Sequence, residues 1–358
     1  MARNNNLPKN VLVARFSALG DVAMTIPVVY SVCRCNPGTR FIFITKSGQT
    51  SMFVNPPENL TVLGIDVKQY RTFGDYVRLL KELRRVYAID AFADLHGVLR
   101  TYMLRAACML QGIRCRSIRK GRRHKRALTR PRNKVMLPLI SSRARYREVF
   151  FNFGFALEEK FTSIYDSGKA DPEIFASVTP PKKEGEKWVG IAPFAKHKGK
   201  IYPPELMERV IDELTGREDI TIFLFGGGEE EKRILGEWAA KYPRVINLSE
   251  KRHGFPVELA LLSHLDTMVS MDSANMHLAS LVGVRVVSVW GATHPYCGFK
   301  GFRQKEADIV QLPMTCRPCS VFGNKPCSRG DYHCLAGIPP QMIVNKVKSI
   351  IPPSTPDE

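Results

Sequence analysis

No apolar run in the 358 residues reaches the ~18 that a membrane-spanning helix needs. The first ten residues, Met1 to Asn10, are polar and lack the layout of a secretory leader, so the expected compartment is the cytoplasm. Cysteine is unpatterned over most of the chain. Cys33, Cys35, Cys108 and Cys115 show no framework spacing and nine is an odd total, which points to reduced thiols rather than a disulfide scaffold. No Walker A sequence occurs, and no strand-like run is followed by GxGxxG, which argues against a Rossmann dehydrogenase. One long stretch lacks acid: between Leu95 and Arg147 there is no Asp or Glu against sixteen Lys or Arg. The net charge of +19 is therefore concentrated, most densely from Arg114 to Lys134. Such a block attracts a polyanion, whether nucleic acid, an anionic membrane face or a phosphorylated or carboxylated substrate; the bland alternative is a solvated loop that aids solubility. It contains no aromatic residues for base stacking, which weakens the nucleic-acid reading.

What is present is a folded, core-bearing chain with 44% apolar residues, long enough for two domains. Strand-like runs alternate with helical ones. Asn10 to Phe16, Arg40 to Thr45, Thr61 to Ile65 and Ile89 to Leu95 read as strands, and Val22 to Cys33, Asp75 to Tyr87 and Val98 to Leu110 as helices. A basic loop and a helix from about Ser142 to Phe153 follow. Residues 166–187, rich in charge, Pro and Gly, read as a linker. The alternation restarts at Trp188 to Pro193 and runs through strands at Ile220 to Phe225, Val245 to Leu248, Thr267 to Met271 and Val284 to Val289. The expectation is α/β, with doubly wound parallel sheets in domains 1–165 and 188–338, then a closing helix and a frayed tail in 339–358.

Candidate chemistry sits after strands. Asp272-Ser273-Ala274-Asn275-Met276-His277 joins a buried strand to a helix and offers a carboxylate, helix N-terminal amides suited to phosphate, and an imidazole. The plainer reading is an N-cap and an ordinary half-buried histidine. Lys196, Lys198 and Lys200 lie on the loop after the first strand of the second domain, placed to counter a diphosphate, and Ala195 on the same loop is a candidate donor-binding residue. In Gly226-Gly227-Gly228-Glu229-Glu230 the carboxylates can accept from sugar hydroxyls. In the first domain Ser17-Ala18-Leu19-Gly20-Asp21 is a turn after a strand, with Asp21 either stabilising a helix start or acting as a general base. Late in the chain, Cys316-x2-Cys319-x7-Cys327-x6-Cys334 is compatible with a structural zinc site, although only one CxxC is present.

Arg15-Phe16-Ser17-Ala18-Leu19-Gly20-Asp21 with Thr25-Ile26-Pro27 resembles the N-terminal signature of the family 9 glycosyltransferases, the ADP-heptose:lipopolysaccharide heptosyltransferases. Asp94 to Thr101 is similar to that family's Asp-x-x-Gly-x-x-Arg/Lys-Ser segment, Lys200-Ile201-Tyr202-Pro203 to its Lys-x-Trp-Pro, and Asp272 to Ala279 to its Asp-Thr-Gly-x-x-His-Leu. The likeness runs from about Asn10 to Ile351. It implies a GT-B fold, two Rossmann-like domains facing across a cleft, with acceptor on the first and nucleotide sugar on the second. It implies inverting transfer of heptose from ADP-heptose to the lipopolysaccharide inner core, with no cofactor required for the chemistry. By motif, Asp21 is the base, Lys200 stabilises the departing diphosphate, and Asp272, Ser273, Ala274 and His277 bind the donor. Leu19 and Gly20 line the cleft, and Glu230 contacts sugar or ribose. Ser273 and Ala274 replace the usual Thr-Gly, and His96 stands where Gln is common. The resemblance gives the basic block an anionic acceptor, or the inner face of the inner membrane, as its partner, through Arg119 to Arg126. Other nucleotide-sugar transferases of the same fold remain the nearest alternative.

Overall fold

The computed structural model describes residues 7–166 and 168–352; the polar N-terminus before Leu7 and the tail after Pro352 lie outside the described residues. Contacts divide the chain into two units: Met1–Gly121 with Ile140–Asp166, and Arg122–Leu139 with Ser167–Glu358.

In chain order the first sequence stretch contributes β1 (Asn10–Ala14), α1 (Leu19–Ala23), α2 (Ile26–Cys35), β2 (Arg40–Lys46), β3 (Leu60–Ile65), α3 (Phe73–Tyr87), β4 (Ala91–Asp94), α4 (Leu99–Leu110), β5 (Arg114–Ser117), α5 (Arg122–Thr129) and α6 (Ser142–Phe151). All strand pairs are parallel and the sheet order is β3-β2-β1-β4-β5. The central strands β1, β2 and β4 form because they are short apolar runs buried on both faces. Leu12, Ile42, Ile44 and Phe92 pack against Leu79, Leu80 and Leu83 of α3 and Leu104 of α4. Thr72 caps α3, accepting from the Asp75 N–H at 3.3 Å while Asp75 accepts from the Thr72 N–H at 2.8 Å.

Four local readings need correction. The single helix expected over 22–33 is two, because Pro27 has no N–H to extend a ladder from α1 and instead occupies the first turn of α2. The basic stretch contains an edge strand, β5, and a helix, α5, where a loop was expected. Residues 122–139, assigned by sequence to the first domain, pack with the second unit. The stretch read as a linker is anchored: Phe175 is fully buried against Trp188 and His264, and the Ala170 N–H donates to Ser263 Oγ at 3.0 Å.

The second sequence stretch adds β6 (Lys187–Ala192), α7 (Pro204–Thr215), β7 (Ile220–Leu224), α8 (Glu229–Lys241), β8 (Val245–Asn247), α9 (Phe255–Leu262), β9 (Thr267–Met271), α10 (Ala274–Leu281), β10 (Val286–Val289), β11 (Ile309–Val310), α11 (His333–Ala336) and α12 (Pro340–Ile350). Its parallel sheet runs β11-β10-β9-β6-β7-β8. The two-residue β11 carries no periodicity a sequence reading can detect. α12 closes the unit, with Ile343, Val344 and Val347 in the core beside Val210 and Leu214 of α7.

Candidate active site

Both sheets reverse their strand order once, beside the first strand of each: between β1 and β4, and between β6 and β9. Loops leaving the carboxyl ends of such a strand pair turn opposite ways, and the crevice between them is where open α/β sheets bind ligands.

In the first unit the loop after β1 leads into α1, with Asp21 in its first turn and Leu19 and Gly20 half-buried at its start. Arg15 Nη2 meets Asp21 Oδ2 at 2.8 Å; the arginine side chain is 8% exposed and the aspartate 25%. Arg15 Nη1 donates to the Leu95 carbonyl at 2.7 Å, and its guanidinium lies 5.7 Å from the centre of the Tyr146 ring. The Ala18 N–H also donates to Asp21 Oδ2, at 3.3 Å. The carboxylate is thus oriented by a buried arginine while part of it stays open to solvent. From β4, Asp94 Oδ1 accepts the N–H groups of His96 at 2.9 Å and Gly97 at 2.8 Å, which bends the chain so that the His96 ring faces the β1 loop. His96 Nε2 is 3.3 Å from Ser17 Oγ. The Phe16 N–H reaches His96 Nδ1 at 3.5 Å, which makes Nδ1 the acceptor and leaves the Nε2 proton for Ser17. Burial, then the Arg15 and Lys120 charges, push the His96 pKa down to about 3, so the ring is neutral at physiological pH.

In the second unit Lys200 sits on the loop after β6. Its Nζ meets Asp272 Oδ2 at 2.8 Å, with the aspartate side chain only 4% exposed. Thr293 Oγ donates to the same oxygen at 2.8 Å. Two glycines make the space. A Cβ on Gly199 would lie 2.9 Å from Ala292 Cβ and from the Gly323 carbonyl, and one on Gly323 (φ +75°) would lie 2.7 Å from Lys200 Cγ. Asp272 therefore stands behind Lys200 and aims it, while Ser273 and Ala274 begin α10 half-buried and His277 lies buried within that helix. Ala195 is half-buried and Lys196 exposed on the Lys200 loop. Glu230 is on the outer face of α8, 74% exposed and 2.8 Å from Arg233. It is Glu231 that reaches back to the glycine turn, accepting the Gly227 N–H at 2.7 Å.

Two supporting residues escaped the sequence reading, and one residue of the basic block packs where charge alone did not point. Thr293 follows β10 with no local signal. Buried Arg317 donates to the carbonyls of Gly291, Trp290, Thr293 and Leu312, pinning the loop that carries Thr293. Its only trace in the sequence is its place between two of the late cysteines. Lys125, on α5, lies over the Phe299 ring at 4.9 Å and the Phe322 ring at 5.6 Å, while the Leu139 N–H donates to the Tyr296 carbonyl at 2.9 Å. The basic segment is thereby seated on the loops after β10. Cys316, Cys319, Cys327 and Cys334 line one small cavity together with Asp331 and His333, yet among the described residues no three such side chains are placed to hold a metal ion.

Residues 76–329, most of the chain, match glycosyltransferase family 9 (heptosyltransferase). The chain belongs to that family. As a family 9 glycosyltransferase it is similar over nearly its full length to named relatives. It is 21% identical to lipooligosaccharide heptosyltransferase 2 of Campylobacter jejuni, covering 94% of this chain and 97% of that one. It is 24% identical to lipopolysaccharide heptosyltransferase 1 of Pseudomonas aeruginosa, covering 86% and 85%. Among solved structures, a family 9 glycosyltransferase from Veillonella parvula superposes with a TM-score of 0.73 at 14% identity, covering 97% and 98% of the two chains. The Escherichia coli heptosyltransferase WaaC with ADP gives 0.62 at 17% identity, covering 96% and 98%. The fold is the GT-B fold of these enzymes.

Proposed function

We propose that this family 9 transferase moves a heptose from ADP-heptose to the inner core of lipopolysaccharide with inversion, the second unit holding donor and the first acceptor. The observation that carries the reading is the pair of switch-point sites. One has a solvent-accessible carboxylate held by a buried arginine; the other has a lysine held by a buried aspartate at the start of a helix. Asp21 takes the proton from the acceptor hydroxyl as that oxygen attacks the anomeric carbon. Lys200 and the N–H groups at the start of α10 receive the charge that builds on the leaving diphosphate. Leu19, Gly20, Ala195, Lys196, Ser273, Ala274 and His277 line the donor and acceptor surfaces, and Glu230 reaches a sugar or ribose hydroxyl. Both demands of the reaction, a base and a cation for the leaving group, are met by side chains. The relatives' names support the sugar and the acceptor, and the WaaC structure with ADP supports the nucleotide.

The basic segment fits an acceptor that carries phosphates and carboxylates in an anionic leaflet, where each nearby Lys or Arg contributes about 1 kcal/mol. On this reading the enzyme works from the cytoplasm, peripheral on the inner face of the inner membrane, with Arg119 to Arg126 as the docking element. The test is transfer itself: purified protein, heptose-deficient lipopolysaccharide, and a panel of ADP-, UDP- and GDP-sugars. Only ADP-heptose should yield inverted product, and only ADP-linked sugars should raise Tm, by the equivalent of about 2.7 kcal/mol at a hundredfold excess over Kd. Preference for a UDP- or GDP-sugar would sink the donor assignment. A steeply salt-dependent gel shift without sugar transfer would favour nucleic acid.

A further inference from the structure

α4 is apolar nearly all round, yet it lies on the surface. Its inner face is spent on the core: Thr101, Leu104, Ala107 and Cys108 are buried. Positions 99, 102, 103, 106, 109 and 110 fall within one third of the helical circumference at 100° per residue, and all six are apolar or aromatic. Leu99 is 72% exposed, Met109 65% and Leu110 77%. A helix with apolar residues on every side is normally buried, so this outer face is built for a cover. At 12 residues, about 18 Å, the helix is too short to cross a bilayer, and no helix among the described residues is long and apolar enough to do so.

Charge says what kind of cover fits. Arg100 and Arg105 border the apolar stripe on either side. Arg114 and Arg116 are exposed in the strand that follows, and the whole stretch from Leu95 to Arg147 has no acid. On the packed neighbour α3, the part beyond the first turn carries Arg78, Lys81, Arg84 and Arg85 against the single acid Glu82. A cationic rim around an apolar face is the pattern of a helix lying in the headgroup layer of an anionic bilayer, its apolar side among the acyl chains and its arginines at phosphate level. We propose that the outer face of α4 inserts into an anionic lipid surface. The contact is separate from the electrostatic docking of Arg119 to Arg126, and it rests on the proposed function only in that both place the enzyme at a membrane.

The test uses the full chain with vesicles of phosphatidylethanolamine and phosphatidylglycerol, and phosphatidylcholine vesicles as the neutral control. Met109→Gln/Leu110→Gln should lower the partition coefficient for anionic vesicles at least tenfold, and the loss should persist at ~0.5 M salt, where surface attraction is screened. Tyr102→Trp should shift its emission to shorter wavelength on anionic vesicles and be quenched by lipids brominated along the acyl chain. Transfer to a water-soluble truncated acceptor should be unchanged in all variants, so a failed sugar assignment and a failed membrane assignment read out separately. Equal partitioning of wild type and the double variant would overturn the proposal. So would a Trp reporter blind to lipid, or a wild-type dimer that the double variant converts to monomer, since a second copy would then be the cover.

Discussion

The two units repeat one arrangement, a loop and a helix start at the point where a parallel sheet reverses its strand order, and then use a carboxylate in opposite ways. Asp21 is a quarter exposed and is held from behind by Arg15. Asp272 is buried and itself holds Lys200 from behind, with Thr293 as its second partner. In each ion pair the more buried partner orients the less buried one, so on the proposed mechanism the sign of that second charge decides the chemistry: an anion to accept a proton in the first unit, a cation to receive a leaving diphosphate in the second. Motif matching alone assigns both aspartates to substrate; burial separates them.

The sharpest way to break that comparison is to neutralise each aspartate. Asp21→Asn should cut kcat at least ~10²-fold with ADP-heptose affinity, measured by calorimetry, retained. Asp272→Ala should instead cost about 3 kcal/mol of folding stability in denaturant titrations, because a half-buried lysine loses its partner, and activity should fall with it. Intact stability with lost turnover in Asp272→Ala would mean that it touches substrate directly. Next, Lys200→Met should lower kcat about 10²-fold, and a donor with a better leaving group should recover part of the loss.

pH tests the first unit through His96. His96 is held at about 3 when folded but titrates near 6.5 when unfolded. Between those values the unfolded chain binds a proton that the folded one does not, so stability falls on acidification from about pH 6.5 toward 3, by up to about 1.4 kcal/mol per pH unit. His96→Gln should flatten that slope in a Tm-against-pH series; an unchanged slope would place its origin in the other histidines held low, such as His294, which burial holds at about 4. The smallest effect expected is Glu230→Ala, a rise of about fivefold in donor KM from one lost hydrogen bond, with kcat nearly unchanged. A larger effect from Glu231→Ala would identify the glycine turn as the element the donor uses.

Fold class, element alternation and the order of the site motifs were legible in the residues themselves, since buried parallel strands are short aliphatic runs and tight strand-to-helix turns select small residues. β5 was missed because its alternating arginines read as loop, and β11 because two residues have no period. The destination of the basic segment was also hidden: charge density says only that a polyanion is attracted, while the seat of Lys125 on Phe299 and Phe322 depends on loops almost two hundred residues away. What the sequence determined by itself was which chemical groups stand at the strand ends, because local backbone geometry depends on near neighbours. Which of each charged pair is the more buried, only the tertiary structure decided. Burial is a sum over distant contacts: Arg15 is fixed by the Leu95 carbonyl and the Tyr146 ring, and Asp272 by Lys200 and Thr293.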